Sequence, residues 1–180
     1  MRTALFALLL AIPALAQTPA QKAELDQLFE LLKAAPSEEA AAPVEARIQR
    51  TLVNGASPAV MLLLQRGMRN MEAQAWREAL ADFDAALDLA PDYVEGWNRR
   101  ASARFMMGDL EGAVRDIREV LRREPRHFGA LVTLTAIAEE RKDYKAAVQA
   151  YEAALAIYPK LQGGEERLRE LHRKAYGEAL

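Results

Sequence analysis

The chain has 180 residues, 51% hydrophobic and 28% charged, which is a folding rather than a disordered composition. It contains no cysteine, which excludes disulfides, thiolate zinc sites, a cysteine nucleophile and lipid attachment through sulfur. The 24 basic and 26 acidic side chains give a formal charge of −2, so there is no global basic field for nucleic acid.

The chain opens on an address. Arg2 supplies a short positive region, Ala4–Ile12 is apolar, Pro13 breaks the run, and Ala14-Leu15-Ala16 offers a small-x-small cleavage pattern. That order predicts a secretion signal over residues 1–16. The apolar run is shorter than the roughly 20 residues a spanning helix needs, so no stable membrane insertion is expected after cleavage. Gln17, not cysteine, follows the expected cut, and no twin-arginine pair precedes it. The expected destination is periplasmic or secreted, as a soluble protein.

Residues 17–59 read as a helix pair with a linker. Gln21–Ala34 carries Leu25, Leu28, Phe29, Leu31 and Leu32 on one side. Pro36 to Pro43 predicts a linker or loose turn, and Pro43–Val53 a second helix stopped by Asn54-Gly55. Pro58 precedes Pro91 by 33 residues, so this pair is expected to be a degenerate repeat ahead of the regular ones.

Prolines at 91, 125 and 159 stand 34 residues apart, and that period divides residues 60–161 into the rows 60–93, 94–127 and 128–161. Small residues align in columns: Gly67, Ala101 and Thr135; Ala79, Ala113 and Ala147; Ala86, Val120 and Ala154. Large ones align too: Phe83, Ile117 and Tyr151; Leu87, Leu121 and Leu155; Trp76, Leu110 and Tyr144. Each row predicts two amphipathic helices joined by a turn such as Met107-Gly108-Asp109-Leu110. Small residues belong where backbones approach, and large ones fill the gaps. One hairpin cannot bury its apolar faces, so stacking must supply the core. Residues 162–180 follow as a C-terminal cap: Gly163-Gly164 breaks the chain, and Glu165–Tyr176 predicts a charged helix with Leu168 and Leu171 inward.

With this period, Trp97 and Leu131 early in their rows, Gly67, the alanine columns, the aromatics Phe83 and Tyr151 and the closing prolines, the sequence resembles the tetratricopeptide repeat (TPR) family. The departures are Leu63 for the early tryptophan of row one, and Asn70, Arg104 and Ala138 where the family usually has a first-helix aromatic. The resemblance implies an all-α, TPR-type helical-hairpin solenoid whose first helices line a concave groove. It implies a groove through Met61, Leu64, Met68 and Met71, then Glu95, Asn98, Ser102 and Phe105, then Gly129, Val132, Ala136 and Glu139. Of these, Met61, Leu64, Met68, Met71, Asn98, Ser102, Phe105 and Val132, with Arg99, form the candidate partner-binding set. Flexible methionines suit varied apolar or helical ligands. Core packing, or a seat for helix Gln21–Ala34, would explain them equally well. The family's basic clamp on a terminal carboxylate is not expected, because its positions read Leu64, Met68, Arg99, Gly129 and Thr133.

No motif supports catalysis, a metal or a cofactor. His127 and His172, the two histidines, lie outside any H-x-x-x-H or H-E-x-x-H pattern and are expected at the solvated surface. Glu38-Glu39 and Glu139-Glu140 read as helix-end and solvated-face charges. Row two carries an arginine run (Arg115, Arg118, Arg122, Arg123 and Arg126) that could meet an acidic partner but more simply solubilises an outer face. The expected function is an exported scaffold holding a peptide or helical segment of an envelope protein. A self-associating structural protein, and so a homo-oligomer, is the alternative, and an enzyme is the remote one.

Overall fold

The computed structural model describes residues 18–177; the signal reading over residues 1–16 lies outside them. The described residues form nine helices and no strand: α1 (Pro19–Ala34), α2 (Glu38–Val53), α3 (Pro58–Glu72), α4 (Trp76–Leu89), α5 (Val94–Met106), α6 (Leu110–Arg123), α7 (Phe128–Glu140), α8 (Tyr144–Ile157) and α9 (Gly164–Tyr176). Helix starts follow from local chemistry. Side chains of Ser57, Asp109 and Asp143 accept the backbone N–H three residues on, and Thr18 and Gln21 form a reciprocal capping box. The turns between paired helices place Gln74, Gly108 and Lys142, one residue per row at the same register, at φ of 58°, 79° and 59°. Only row two uses glycine there, and the other two rows hold an ordinary side chain in the left-handed region.

The solenoid is built from the hairpins α3–α4, α5–α6 and α7–α8, stacked in chain order with α9 on α8. The small-residue columns are where the helices meet. Ala79, Ala113 and Ala147 are completely buried, and so are Ala86 and Ala154. A Cβ at Gly67 would lie 2.5 Å from the ring of Phe83, which is itself fully buried. Successive core clusters centre on Phe83, on Ile117 and on Tyr151, the large-residue column. Rows one and two share a further device. Asp82 accepts from Arg66 and Asn70 at 2.7 and 2.9 Å, and Asp116 accepts from Arg100 and Arg104 at 2.8–2.9 Å. Both carboxylates are buried, so these bonds compensate their lost hydration.

Helix α9 packs on the α7–α8 hairpin. Leu171, Leu168 and Ala175 pack on Ala138, Ala147 and Tyr151, while Glu139 binds Arg167 and Lys174. Glu139 is therefore a tether for α9 rather than a freely solvated charge. The register that holds Leu131 and Thr135 in α7 holds Glu165 and Arg169 here, both exposed, so polar side chains replace the buried ones of the earlier first helix.

The N-terminal pair departs from expectation twice. First, α2 begins at Glu38, not Pro43. Ser37 caps it through the Ala40 N–H, Glu38 and Glu39 occupy the favourable first turn, and Pro43 in the helix removes only one backbone donor. Second, the pair is not a repeat stacked ahead of the others. It folds back past α3 and α4, bringing α1 to α8 and α2 to α5. Leu25, Phe29, Leu32, Ile48 and Leu52 form one core with Phe128, Leu131, Ala154 and Tyr158. Polar contacts fix the seat: Tyr93 donates to the Val53 carbonyl at 2.9 Å, Arg126 meets Asp26 at 2.7 Å, and the Arg126 guanidinium lies over Phe29.

Candidate functional site

The first helices α3, α5 and α7 carry every residue of the candidate groove, and the structure sorts them into three groups. On α3, Leu64 is 4% exposed and belongs to the core with Val60 and Phe83, so it is not available to a partner. Met61 and Met71 are half-buried against that same core. Met68, one turn on from Leu64, is 40% exposed. On α5, Phe105 is half-buried but packs into the neighbouring core with Ala101, Ala113 and Ile137. Val132 on α7 is 37% exposed. Met68 and Val132 are thus the open apolar members, whereas Met61, Met71 and Phe105 each present one edge and anchor the other.

The polar members converge on a residue outside the candidate set, Glu95. Its carboxylate is buried and accepts from Asn98 at 3.3 Å, while Arg99 pairs with it at 3.2 Å. The Ser102 hydroxyl donates to the Asn98 carbonyl at 3.2 Å, holding that turn of α5. Behind them stands His127, 6% exposed, with Nε2 at 2.9 Å from Glu95 Oε1. The expectation of a solvated His127 is therefore wrong. Its Nδ1 accepts from the Ala130 N–H at 3.0 Å and caps α7, so the proton sits on Nε2 and is donated to Glu95. Burial opposes ionisation of Glu95, but hydrogen bonds from His127 and Asn98 and the charge of Arg99 together outweigh it and hold its pKa below the usual carboxylate value. His172 is half-exposed, 3.3 Å from Glu152.

The arginine run of row two also divides. Arg115 and Arg118 are exposed, and Arg122 pairs only with Glu119. Arg123 is drawn inward against Trp97 and bonds Glu119 and the Pro91 carbonyl, while Arg126 clasps Glu124 and α1. Those two are structural. Sequence reasoning missed both the Glu95–His127 pair and the buried carboxylates Asp82 and Asp116. The second had a visible signal, since an arginine sixteen residues before an aspartate recurs at the 34-residue period. Among the described residues no group of three potential metal ligands converges, and no helix is long and apolar enough to cross a membrane.

Three comparisons agree with this geometry. The sequence profile of the tetratricopeptide repeat matches residues 64–116 and 105–161. A TPR repeat-containing protein of Rhizobium etli is 36% identical over 156 residues, spanning 87% of this chain and 76% of that protein. Among solved structures, the first TPR of Spaghetti (RPAP3) bound to the HSP90 peptide SRMEEVD shares the fold at TM-score 0.61 and 20% identity, over 65% of this chain and 93% of that one. The TPR2B domain of yeast Sti1 in a pHsp70 complex does so at TM-score 0.59 and 19% identity, over 66% and 97%.

Proposed function

The chain belongs to the tetratricopeptide repeat family, and from that premise we propose that it is an exported protein-binding scaffold whose first-helix face holds a peptide or helical segment of an envelope protein. The observation that carries the reading is the face of α3, α5 and α7 itself. It pairs exposed apolar side chains, Met68 and Val132, with a braced polar group, Asn98–Arg99–Glu95. Apolar anchors beside fixed hydrogen-bonding groups suit a polypeptide ligand. The fold relatives captured with HSP90 and Hsp70 peptides support this class of ligand. They do not carry over a carboxylate clamp, because Leu64, Met68 and Gly129 stand at its positions. Export rests on Arg2, the apolar run and Ala14-Leu15-Ala16.

Site-specific photocrosslinking in cells tests both parts. A benzophenone side chain at Met68 or Val132 is expected to capture one envelope protein, while the same group at Arg118, an exposed residue of the second helix α6, captures none. Equal capture from all three positions, or capture of cytoplasmic proteins only, overturns the reading.

A further inference from the structure

The buried ion pair of rows one and two is missing from row three. The register of Arg100, Arg104 and Asp116 holds Leu134, Ala138 and Ala150 in row three. In row two the gap between α5 and α6 is filled by the Arg104 side chain, whose guanidinium bonds Asp116 at 2.9 Å and the Gly112 carbonyl at 3.3 Å. Two alanines cannot fill the same gap between α7 and α8. What remains is a cleft of about 350 Å³ walled by Val114, Leu134, Ile137, Ala138, Ala146 and Ala150. Its floor holds no carboxylate, since Ala150 stands where Asp116 would, so a cation entering it would lack the counter-ion that row two supplies. Its mouth is polar. Asp143 and Gln149 are exposed there, and Arg141 is held by Glu111 at 2.7 Å.

We infer that this cleft is a second docking site, separate from the first-helix face, which takes one uncharged aromatic side chain of a partner polypeptide. Three features select that occupant. The volume lies at the small end of ligand sites and suits a single bulky group. The apolar walls disfavour a charged group, since the charged lining residues, Arg141 and Asp143, stand at the mouth and Arg141 is already paired with Glu111. The polar mouth supplies hydrogen bonds to the backbone on either side, the apolar-centre and polar-rim layout of protein interfaces, into which aromatic anchors insert.

The test is a methyl NMR titration of the full-length protein with two probes, indole and N-acetyl-tryptophanamide. Saturable shifts of the Val114, Leu134 and Ile137 methyls are expected, with half-saturation by indole at about 1 mM. The amide, which carries backbone groups for the rim, is expected to bind about threefold more tightly. Ala150→Leu fills the cleft and should weaken both by about tenfold or more; Ala138→Met, with its adaptable side chain, fills it from the facing helix. A thermal melt reports which variant folds. Shifts that do not saturate, or that persist in a folded filled variant, overturn the proposal. Equal binding of the two probes rules out a polypeptide occupant. Shifts of the same methyls with protein concentration alone assign the cleft to a second copy, which also overturns it.

Discussion

His127, the last residue of row two, caps α7 through Nδ1 while its Nε2 donates to the buried carboxylate of Glu95, 2.9 Å away at the start of the same row. One side chain thus starts the first helix of row three and supplies a hydrogen bond to a buried carboxylate of row two. His127→Ala is expected to cost about 1 kcal/mol for the lost cap and about 1–3 kcal/mol for the poorly satisfied acceptor left behind. Asn98 and Arg99 keep the loss from exceeding that. Urea denaturation of wild type and His127→Ala gives the figure, and a loss below about 0.5 kcal/mol would place the pair outside the core energetics.

The same pair has an acid signature. The pKa of Glu95 is lower folded than unfolded, so its contribution is complete above the unfolded value of about 4.5 and disappears as pH falls through the folded value. Wild-type stability is therefore expected to drop below about pH 4.5. Glu95→Gln is expected to be less stable at pH 7 but flatter on the acid side. Denaturation midpoints measured from pH 7 down to pH 3 decide it, and parallel curves would show that other carboxylates carry the acid limb.

Gly67→Ala sets two effects against each other. Helix propensity favours alanine by about 1 kcal/mol. Packing opposes it, because the new Cβ would come within 2.5 Å of the fully buried Phe83 ring. Overpacking typically costs about 1–3 kcal/mol, so net destabilisation is expected. A raised melting temperature would show that the ring has room to move.

Ala113→Leu tests the alanine columns at a site with no exposed surface between α5 and α6. A loss of about 1–3 kcal/mol is expected in a thermal or chemical melt. An unchanged midpoint would mean the hairpin opens there at little cost.

Binding and folding separate at Met68 and Phe83. Met68→Ala is expected to change stability by no more than about 1 kcal/mol, since the residue is 40% exposed and lies outside the buried cores. It should weaken the partner complex by about 1–2 kcal/mol if that face binds. Phe83→Ala, at the centre of its core, is expected to cost about 3–5 kcal/mol of stability. Melting temperature and partner affinity of both variants form the test, and unaltered affinity in Met68→Ala would move the contact off the first-helix face.

How much of this was legible beforehand depended on whether the information was periodic. The hairpins follow from local rules repeated at 34 residues: a small residue wherever two backbones meet, a large one beside it, and a proline after each second helix. Each row reports on the others, so Ala79, Ala113 and Ala147 could be placed at contacts before any coordinates. The same argument misplaced α1 and α2. Leu25, Phe29, Ile48 and Leu52 announce that a face must be buried, but burial of apolar area is non-directional and names no partner surface. Only the folded chain sets them on Phe128 and Tyr158 instead of ahead of α3.

Site chemistry divides in the same way. That the first helices carry methionines and polar groups was readable from the register. Which of them remain open was not, because Leu64 and Met68 sit one turn apart on the same side of α3, and only the packing around each decides that one is covered and the other is not. His127 is a single residue outside any repeat column. Its role required Glu95, 32 residues earlier, to arrive from another helix, and Ala130 to present its N–H. Sequence alone determined the repeating unit, because its contacts are local and recur. The tertiary structure decided the fold-back of the N-terminal pair, the buried Glu95–His127 pair and the empty gap between α7 and α8, because each depends on which distant surfaces meet.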